Sequence, residues 1–222
     1  MRAMILAAGR GERLRPLTDH TPKPLLQVGE HRLIEYHLYK LARAGIHDVV
    51  INTAWLGEQI QQSLGNGEKY GLNIQYSDEG GQALETAGGI IKALPLLGDI
   101  FLIINGDIYT DYEFEKLTQL KLNSEAHLVM VENPEHNNSG DFALENGYLQ
   151  NNGRPLYTYS GIGVYSQQFF AGHPEGVAAL APILKEKIAR QKVSGELYQN
   201  AWTDVGTLER LQQLSDSLHS VK

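Results

Sequence analysis

The first 26 residues contain a glycine-bearing loop crowded with positive charge. An apolar run, residues 3–8, leads directly into Gly9 and Gly11. Four cations follow within a short length of chain: Arg10, Arg13, Arg15 and Lys23. Glycine has no Cβ atom, so the backbone can curl around phosphate oxygens and direct its N–H groups at them. Arginine adds a planar cationic fork and lysine a compact ammonium, and this combination favours a polyphosphate ligand.

Two other phosphate-binding loops do not fit this segment. The dinucleotide fingerprint requires a third glycine, and Leu14 stands at that position. The acidic residue expected about 20 residues further on would fall at Gly29 and Glu30, in a predicted loop. A Walker loop requires Gly-Lys followed by Ser or Thr, and the sequence contains no such triplet.

Two aspartates are candidate ligands for a divalent cation. Asp107 stands just after an apolar run, residues 101–104, and is separated from it only by Asn105 and Gly106. Asp204 precedes the last predicted helix. Mg²⁺ prefers one or two carboxylates together with phosphate oxygens and water. Taken alone, each aspartate could instead cap the helix that follows it, which is the less favoured interpretation for Asp107.

The elements that would position these residues alternate between strands and helices. Apolar runs predict strands at residues 3–8, 49–51, 72–76, 100–104 and 126–131. Helical spacing of apolar residues predicts helices at residues 33–42, 58–64, 87–94 and 114–122, the first ending at a Gly45 cap. This order predicts an α/β fold, a three-layer α/β/α Rossmann-like arrangement around a mostly parallel mixed sheet. Ligands should gather at the carboxyl ends of the strands.

The regular alternation of predicted strands and helices ends after residue 133. Asn146-Gly147 predicts a hairpin over residues 141–149, and an extended strand should follow at residues 157–165. Amphipathic helices are predicted at residues 182–191 and 208–218. The sequence contains no internal repeat or linker, so residues 1–222 are expected to form a single domain.

Composition excludes several classes of function. The net charge of −7 argues against a nucleic-acid partner and against an anionic membrane surface. The absence of cysteine removes disulfides, thiolate metal sites and a cysteine nucleophile. No run approaches the ~20 apolar residues of a membrane span, and residues 4–8 are too short for a signal peptide. The expected location is the cytoplasm.

Residues 6–18 and 21–26 resemble the signature of the sugar-nucleotide pyrophosphorylases, the nucleotidyltransferases that join a sugar 1-phosphate to a nucleoside triphosphate. The resemblance implies the nucleotidyltransferase fold. In this family one aspartate after an "NGD" strand and another in a "W-x-D-V-G-T" segment bind the metal, which implies that Asp107 and Asp204 bind Mg²⁺. For the catalytic residues we expect Arg13 to hold the leaving β- and γ-phosphates and Lys23 to lie over the α-phosphate.

The binding residues expected in this sequence fall into two groups. The nucleotide-binding group is Leu6, Ala7, Ala8, Gly9, Gly11, Glu12, Arg13, Lys23, Glu85, Thr86 and Gly88. The sugar-binding group is Asn105, Gly140, Asp141, Asn152 and Lys192.

Four further segments, residues 84–89, 159–165, 193–196 and 204–211, are most similar to family members that act on N-acetylmuramate 1-phosphate. That similarity implies UTP as the second substrate, with UDP-MurNAc and pyrophosphate as products in cell-wall (peptidoglycan) recycling. The lactyl carboxylate of muramate would need a cation, either Lys192 or Arg154, of which Lys192 is favoured because it adjoins residues 193–196.

The sequence also departs from other branches of this family. Glucose-type relatives carry Glu-Glu-Lys-Pro where residues 151–155 read Asn-Asn-Gly-Arg-Pro, so a sugar-binding glutamate is missing. The left-handed β-helix of larger relatives is not expected here. Two alternatives remain: a guanylyl- or thymidylyltransferase acting on mannose, heptose or glucose 1-phosphate, and a non-catalytic sugar-nucleotide sensor.

Overall fold

The computed structural model describes residues 1–81 and 83–219. The strands in this part of the chain are β1 (Arg2–Leu6), β2 (Gln27–Val28), β3 (His31–Arg32), β4 (Asp48–Thr53), β5 (Asn73–Asp78), β6 (Ile100–Asn105), β7 (Ile108–Thr110), β8 (Ala126–Val131), β9 (Phe142–Glu145), β10 (Tyr148–Gln150), β11 (Leu156–Ser166), β12 (Val193–Tyr198) and β13 (Trp202–Asp204). The α-helices are α1 (Leu33–Arg43), α2 (Gly57–Leu64), α3 (Glu85–Ala93), α4 (Glu115–Thr118), α5 (Leu180–Ala189) and α6 (Leu208–His219).

Nine strands form the central sheet, in the order β5-β4-β1-β6-β11-β8-β12-β10-β9. The pairings of β1 with β4 and β6, of β4 with β5, and of β8 with β12 are parallel. β11 runs antiparallel between β6 and β8, and β10 runs antiparallel between β12 and β9. All the other strands therefore point the same way, which confirms the predicted mixed sheet with mostly parallel strands.

Alternating side chains of the sheet supply two cores, one on each face. In β1, Ala3 and Ile5 belong to one core and Met4 to the other, as the two-residue period of a strand requires. Helices α1 and α2 cover the first face, and α3 and α5 cover the second. This three-layer arrangement is the predicted fold class. Helix α6 packs on a smaller cluster with Val28, Leu33 and Val205.

Most predicted elements form within a few residues of the expected bounds. Gly45 follows α1 at φ +73°, in the left-handed region that favours glycine. Asn146 and Gly147 have φ values of +50° and +79°, as a two-residue type I′ hairpin turn requires, and they join β9 to β10.

The helix predicted at residues 114–122 was wrong in length, because α4 spans only Glu115–Thr118. The Thr118 hydroxyl donates to the Glu115 carbonyl at 2.8 Å, a local bond that competes with helix continuation. Leu120 and Leu122 still pack against the core, but from irregular backbone. Their apolar character created the helical pattern in the sequence.

Three strand pairings were not predicted from the sequence. β12, in which Ser194 and Gly195 interrupt the apolar run, joins β8 along its whole length. β7 pairs with β13, and β2 pairs with β3. The β7–β13 pair matters most, because it brings the segment of Asp204 beside that of Asp107.

No helix in residues 1–81 and 83–219 is both long and apolar enough to cross a membrane. The single domain over residues 1–222 stays a prediction, and residues 82 and 220–222 lie outside the described residues.

Candidate active site

A cavity of about 360 Å³ lies at the carboxyl ends of β1 and β6. Every predicted nucleotide-binding residue except Gly88 lines it, and so do Asn105 and Asp107. The carboxyl ends of parallel strands are the usual place for ligands in open α/β sheets. The structure therefore gathers the phosphate-loop segment and the aspartate after β6 into one site.

Gly11 gives the phosphate loop its shape. Its φ of +70° lies in the left-handed region, and a Cβ there would come within 2.9 Å of the Thr18 methyl and 3.3 Å of the Lys23 Cβ. The Thr18 hydroxyl donates to the Gly11 carbonyl at 2.9 Å. A side chain at Gly11 would force the loop away from Thr18 and Lys23 together.

The four cations of this segment differ in their engagement. The Arg10 guanidinium stacks 3.9 Å from the centre of the Trp55 ring and pairs with Glu12 at 2.9 Å. Arg15 pairs with Asp19 at 2.8 Å. Arg13 lines the cavity and has no ion pair among the described residues. Arg10 and Arg15 therefore hold the loop together, while Arg13 is available to an anionic ligand.

Lys23 is the second cation of the cavity. Its ammonium donates to Asp107 Oδ2 at 2.6 Å, and its side chain is only 9% exposed against 38% for Asp107. Pro22 and Pro24 flank it and restrict the backbone on both sides. The burial of an ammonium in a protein requires such a partner. The lysine is thus held in place by a contact within the protein.

Gly106 sets the position of Asp107. Its N–H donates to the Leu6 carbonyl at 2.9 Å, and a Cβ on this residue would come within 2.6 Å of the same oxygen. Only glycine allows the chain to pass this close to the end of β1. The contact brings the Asp107 carboxylate to the mouth of the cavity.

Asp204 reaches the neighbourhood of Asp107 through β13. The Val205 N–H donates to the Asp107 carbonyl at 2.9 Å, and Asp204 lies opposite Ile108 in the β7–β13 pair. The Asp204 side chain does not itself line the cavity, although Gly206 does. A Cβ on Gly206 would collide with the Arg210 guanidinium and approach that of Arg13 to 3.0 Å.

Two residues that the sequence analysis missed hold the Asp204 carboxylate. Arg210 Nη1 donates to Asp204 Oδ2 at 2.9 Å, and His136 Nε2 lies 3.2 Å from the same oxygen. The other oxygen, Oδ1, is buried and has no hydrogen-bond partner among the described residues. Arg210 lies in the same segment as the aspartate, residues 204–211. This closeness in sequence was the only sign that the two side chains could pair.

These carboxylates fit a divalent cation with few protein ligands. Asp107 is partly open to the cavity, and the buried Oδ1 of Asp204 lacks a donor that an aspartate oxygen normally requires. The described residues contain no group of three or more His, Cys, Asp or Glu side chains arranged to hold a metal. Two carboxylates completed by phosphate oxygens are a donor set typical of Mg²⁺.

A buried polar network forms the floor of the first cavity and was not predicted. Asn52 Oδ1 accepts from the Ala7 N–H at 2.7 Å, and Asn52 Nδ2 donates to Glu79 Oε1 at 2.6 Å. Glu79 Oε2 accepts from the Leu84 N–H at 2.8 Å. The network ties the ends of β1, β4 and β5 to the start of α3. The sequence signal was a polar residue at the carboxyl end of β4, Asn52, and another directly after β5, Glu79, whereas β1 contributes only the backbone N–H of Ala7.

The start of α3 separates this cavity from a second one. Glu85, the first residue of the helix, has φ +58°, which is rare for a residue with a side chain. Glu85 and Thr86 line both cavities. Gly88 lines neither, because its N–H donates to the Ala178 carbonyl at 3.0 Å and it packs against that loop. The structure therefore gives Gly88 a packing contact.

The second cavity, of about 670 Å³, lies between β11, the start of β9 and helix α5. Asn105, Gly140 and Asp141, three of the five residues expected from the sequence to bind the sugar, line it. Asp141 Oδ2 accepts from the Tyr159 N–H at 2.8 Å, and this bond fixes the carboxylate at the rim. A Cβ on Gly161, at φ +82° in the β11 bulge, would lie 2.6 Å from the Asn105 amide.

Asn152 and Lys192 do not line either cavity. Asn152 is exposed in the loop after β10. The Lys192 ammonium lies 3.8 Å from Glu125 Oε1, at the amino end of β12, whereas the cavities lie at the carboxyl ends of the parallel strands. Lys192 was expected because it adjoins residues 193–196 in the sequence. The direction of β12 places it at the amino ends of the parallel strands, opposite to the cavities.

Comparison with known proteins gives consistent similarities. The family model described as nucleotidyl transferase matches residues 2–149. An N-acetylmuramate alpha-1-phosphate uridylyltransferase of Neisseria meningitidis is 50% identical over 96% of this chain and 96% of its own length. The enzyme of the same name from Caulobacter vibrioides is 30% identical over 92% of this chain and 91% of its own.

The fold is also found among solved structures. A Bacillus anthracis protein assigned provisionally as a glucose-1-phosphate thymidylyltransferase superposes with a TM-score of 0.87. The match covers 100% of this chain and 96% of that one, at 23% sequence identity. This likeness confirms the fold class.

Proposed function

Because the chain belongs to the sugar-1-phosphate nucleotidyltransferase family, we propose that it transfers the uridylyl group of UTP to N-acetylmuramate 1-phosphate and releases pyrophosphate. The observation that carries this proposal is the pair of adjoining cavities, which share Glu85, Thr86 and Asn105. One cavity has the phosphate loop and the other has the polar rim of a sugar site. The choice of UTP and muramate rests on the two relatives that span nearly the whole chain.

The chemical obstacle is electrostatic. An anionic sugar phosphate must approach the α-phosphate of a triphosphate that carries several negative charges. Positioning and stabilisation of charge therefore dominate catalysis of phosphoryl-type transfer, with little need for a side-chain nucleophile. Arg13, which has no ion pair in the described part of the chain, holds the β- and γ-phosphates that leave as pyrophosphate. The N–H groups of the loop around Gly11 support the same oxygens.

Lys23 acts at the point where charge grows. Its ammonium is buried beside the cavity and aligned by Asp107 at 2.6 Å, so little rotamer freedom is lost when a phosphate oxygen replaces that carboxylate. We assign Lys23 to the α-phosphate and the incoming sugar phosphate. A cation fixed in advance stabilises the transition state without reorganisation.

Asp107 and Asp204 are the residues that would hold Mg²⁺. When bound there, the ion would neutralise the α-phosphate and the incoming phosphate. Arg210 and His136 keep Asp204 oriented, and the Oδ1 atom that they leave free is the one suited to a cation. Asp107 faces the cavity from the end of β6.

The second cavity would receive the sugar. Asn105, pinned over Gly161, and Asp141, held by the Tyr159 N–H, present hydrogen-bonding atoms for hydroxyl groups or the N-acetyl group. Asn105 lines both cavities, which suits a residue close to the sugar phosphate. Residues 179–181 and Leu184 of the opposite wall are apolar and leave room for a bulky 3-O substituent.

A pyrophosphate-release assay tests the proposal. Each of UTP, GTP, dTTP and ATP is paired with the 1-phosphates of N-acetylmuramate, N-acetylglucosamine, mannose and glucose, in the presence of Mg²⁺. We expect the highest kcat/KM for UTP with N-acetylmuramate 1-phosphate. A higher value for GTP with mannose 1-phosphate would contradict the proposal, and no turnover with any pair would favour a sensor.

A further inference from the structure

We infer that Lys185 is the residue that recognises the lactyl carboxylate of the sugar substrate, and therefore a determinant of specificity. This inference rests on the proposed function, since N-acetylglucosamine 1-phosphate lacks the lactyl group. Lys185 lies in helix α5 and lines the sugar cavity together with Asp141 and Tyr159. It was not among the residues expected from the sequence.

The charges around the sugar cavity support this assignment. Among the described residues that line it, Lys185 is the single cation, and Glu85 and Asp141 are the acids. A substrate with an extra carboxylate would meet two negative charges and one positive charge. Without Lys185 it would meet only the negative pair, and like charges disfavour binding by Coulomb repulsion.

Three other cations of this half of the molecule already have partners, and Arg154, the alternative expected from the sequence, does not line the cavity. Lys187 donates to Glu125 at 2.5 Å, Lys192 lies 3.8 Å from the same carboxylate, and Arg190 pairs with Glu186 at 3.2 Å. The Lys185 ammonium has no hydrogen bond or ion pair among the described residues. It is therefore free to meet an anion, as Arg13 is in the nucleotide cavity.

The wall around Lys185 matches the remainder of a lactyl group. Ala181 and Leu184 precede it by four residues and one residue on the same helix, and both line the cavity. They offer an apolar surface for the lactyl methyl group beside the ammonium. The helix is anchored at this point, because Asn151 Nδ2 donates to the Lys185 carbonyl at 2.8 Å.

The test compares kcat/KM for N-acetylmuramate 1-phosphate with kcat/KM for N-acetylglucosamine 1-phosphate in several variants. Lys185→Met keeps the aliphatic stem and removes the charge, Lys185→Arg keeps the charge, and Lys192→Met is the matched control. We expect Lys185→Met to lower the muramate preference about 10-fold, as expected for loss of one charge-assisted contact, while kcat/KM for N-acetylglucosamine 1-phosphate stays within about twofold. Lys185→Arg should retain most of the preference, and Lys192→Met should retain all of it.

Each outcome has one meaning. An unchanged preference in Lys185→Met, or an equal loss for both sugars, would overturn the role of Lys185 and leave the muramate assignment intact. A lowered preference in Lys192→Met alone would assign the contact to Lys192, and this result would also overturn the role of Lys185. Equal use of both sugars by the wild type would overturn the muramate assignment itself and, with it, this inference.

Discussion

In the nucleotide cavity, Glu12, Lys23 and Asp107 have ion-pair partners inside the protein and only Arg13 among the lining cations has none among the described residues. In the sugar cavity the single lining cation, Lys185, has no ion pair among those residues. The nucleotide side is built from one stretch of loop and the ends of neighbouring parallel strands. The sugar side is assembled from the start of β9, the antiparallel strand β11 and helix α5.

This difference has a functional meaning. Pre-paired charges lose little freedom when a triphosphate binds, and fixed dipoles and charges are what phosphoryl-type transfer requires. Unpaired groups on a mostly apolar wall can be exchanged between relatives without disturbing the reaction centre. We therefore expect changes on the nucleotide side to alter turnover, and changes on the sugar side to alter preference.

The largest effect should come from the proposed metal ligands. We expect Asp107→Asn and Asp204→Asn each to lower kcat by about 10²-fold or more, because charge positioned at the α-phosphate is the main catalytic resource. Kinetics at several Mg²⁺ concentrations, with circular dichroism to check the fold, provide the measurement. Asp48→Asn, at an exposed carboxylate, is the control. Near wild-type Mg²⁺-dependent activity in either variant would remove that residue from the site.

The next effect separates the two cations of the nucleotide cavity. Arg13 would contact the leaving phosphates before and during transfer, so Arg13→Ala should raise the KM for UTP and also lower kcat. Lys23 would meet charge that grows during transfer, so Lys23→Ala should act mainly on kcat. Steady-state kinetics with varied UTP gives both constants. If Lys23→Ala changed only the KM, its assigned role would be wrong.

A smaller effect concerns the free energy of unfolding at acid pH, which two buried histidines, His37 and His127, should change to different extents. Burial lowers the pKa of His37, beneath the nucleotide side, to about 4. The unfolded chain then binds this proton near pH 6.5 while the folded chain does not, so the free energy of unfolding falls as pH falls from 6.5 towards 4. The contribution of His37 should be about 2 kcal/mol smaller at pH 5 than at pH 8.

Urea unfolding of His37→Gln at pH 5 and pH 8 checks this value, and the difference between the two pH values should shrink. His127→Gln, in β8, is the comparison. Burial also lowers the pKa of His127, but Glu196 partly offsets it, so its substitution should change the pH dependence less. A larger change in His127→Gln would show that the nucleotide side does not dominate acid sensitivity.

The smallest effect should come from the polar floor of the nucleotide cavity. Asn52→Ala would leave the Ala7 N–H and the Glu79 carboxylate without their shared partner, and should lower the free energy of unfolding by roughly 1 to 2 kcal/mol. Asn73→Ala, which removes an exposed bond to Asp48, should change it by less than about 0.5 kcal/mol. Chemical denaturation measures both, and equal losses would mean that the network adds nothing.

The sequence predicted which residues line the nucleotide cavity, because these residues are contiguous or directly follow strands. Gly11, Arg13 and Lys23 belong to one segment, and Asp107 follows a strand that could be recognised from its apolar run. The partners of Asp204 were not predictable, because His136 approaches from a different part of the chain and Arg210 from the next helix.

The sugar side was predicted only in part. Asn105 and Asp141 line the sugar cavity, and each stands next to a strand end or a turn, which the sequence reveals. Lys192 does not line it and was chosen by its neighbours in the sequence. The direction of β12, which the sequence did not reveal, places that lysine at the other edge of the sheet. Lys185 comes from a helix whose cavity-facing side depends on tertiary packing.

The most direct test of the account is a competition experiment on the wild-type protein. The protein is incubated with equal concentrations of N-acetylmuramate 1-phosphate and N-acetylglucosamine 1-phosphate, all four nucleoside triphosphates and Mg²⁺, and the sugar nucleotides are identified by mass spectrometry. The account predicts UDP-MurNAc in about 10-fold or greater excess over every other product. Equal amounts of the two UDP-sugars, or a predominance of GDP- or dTDP-linked products, would contradict it.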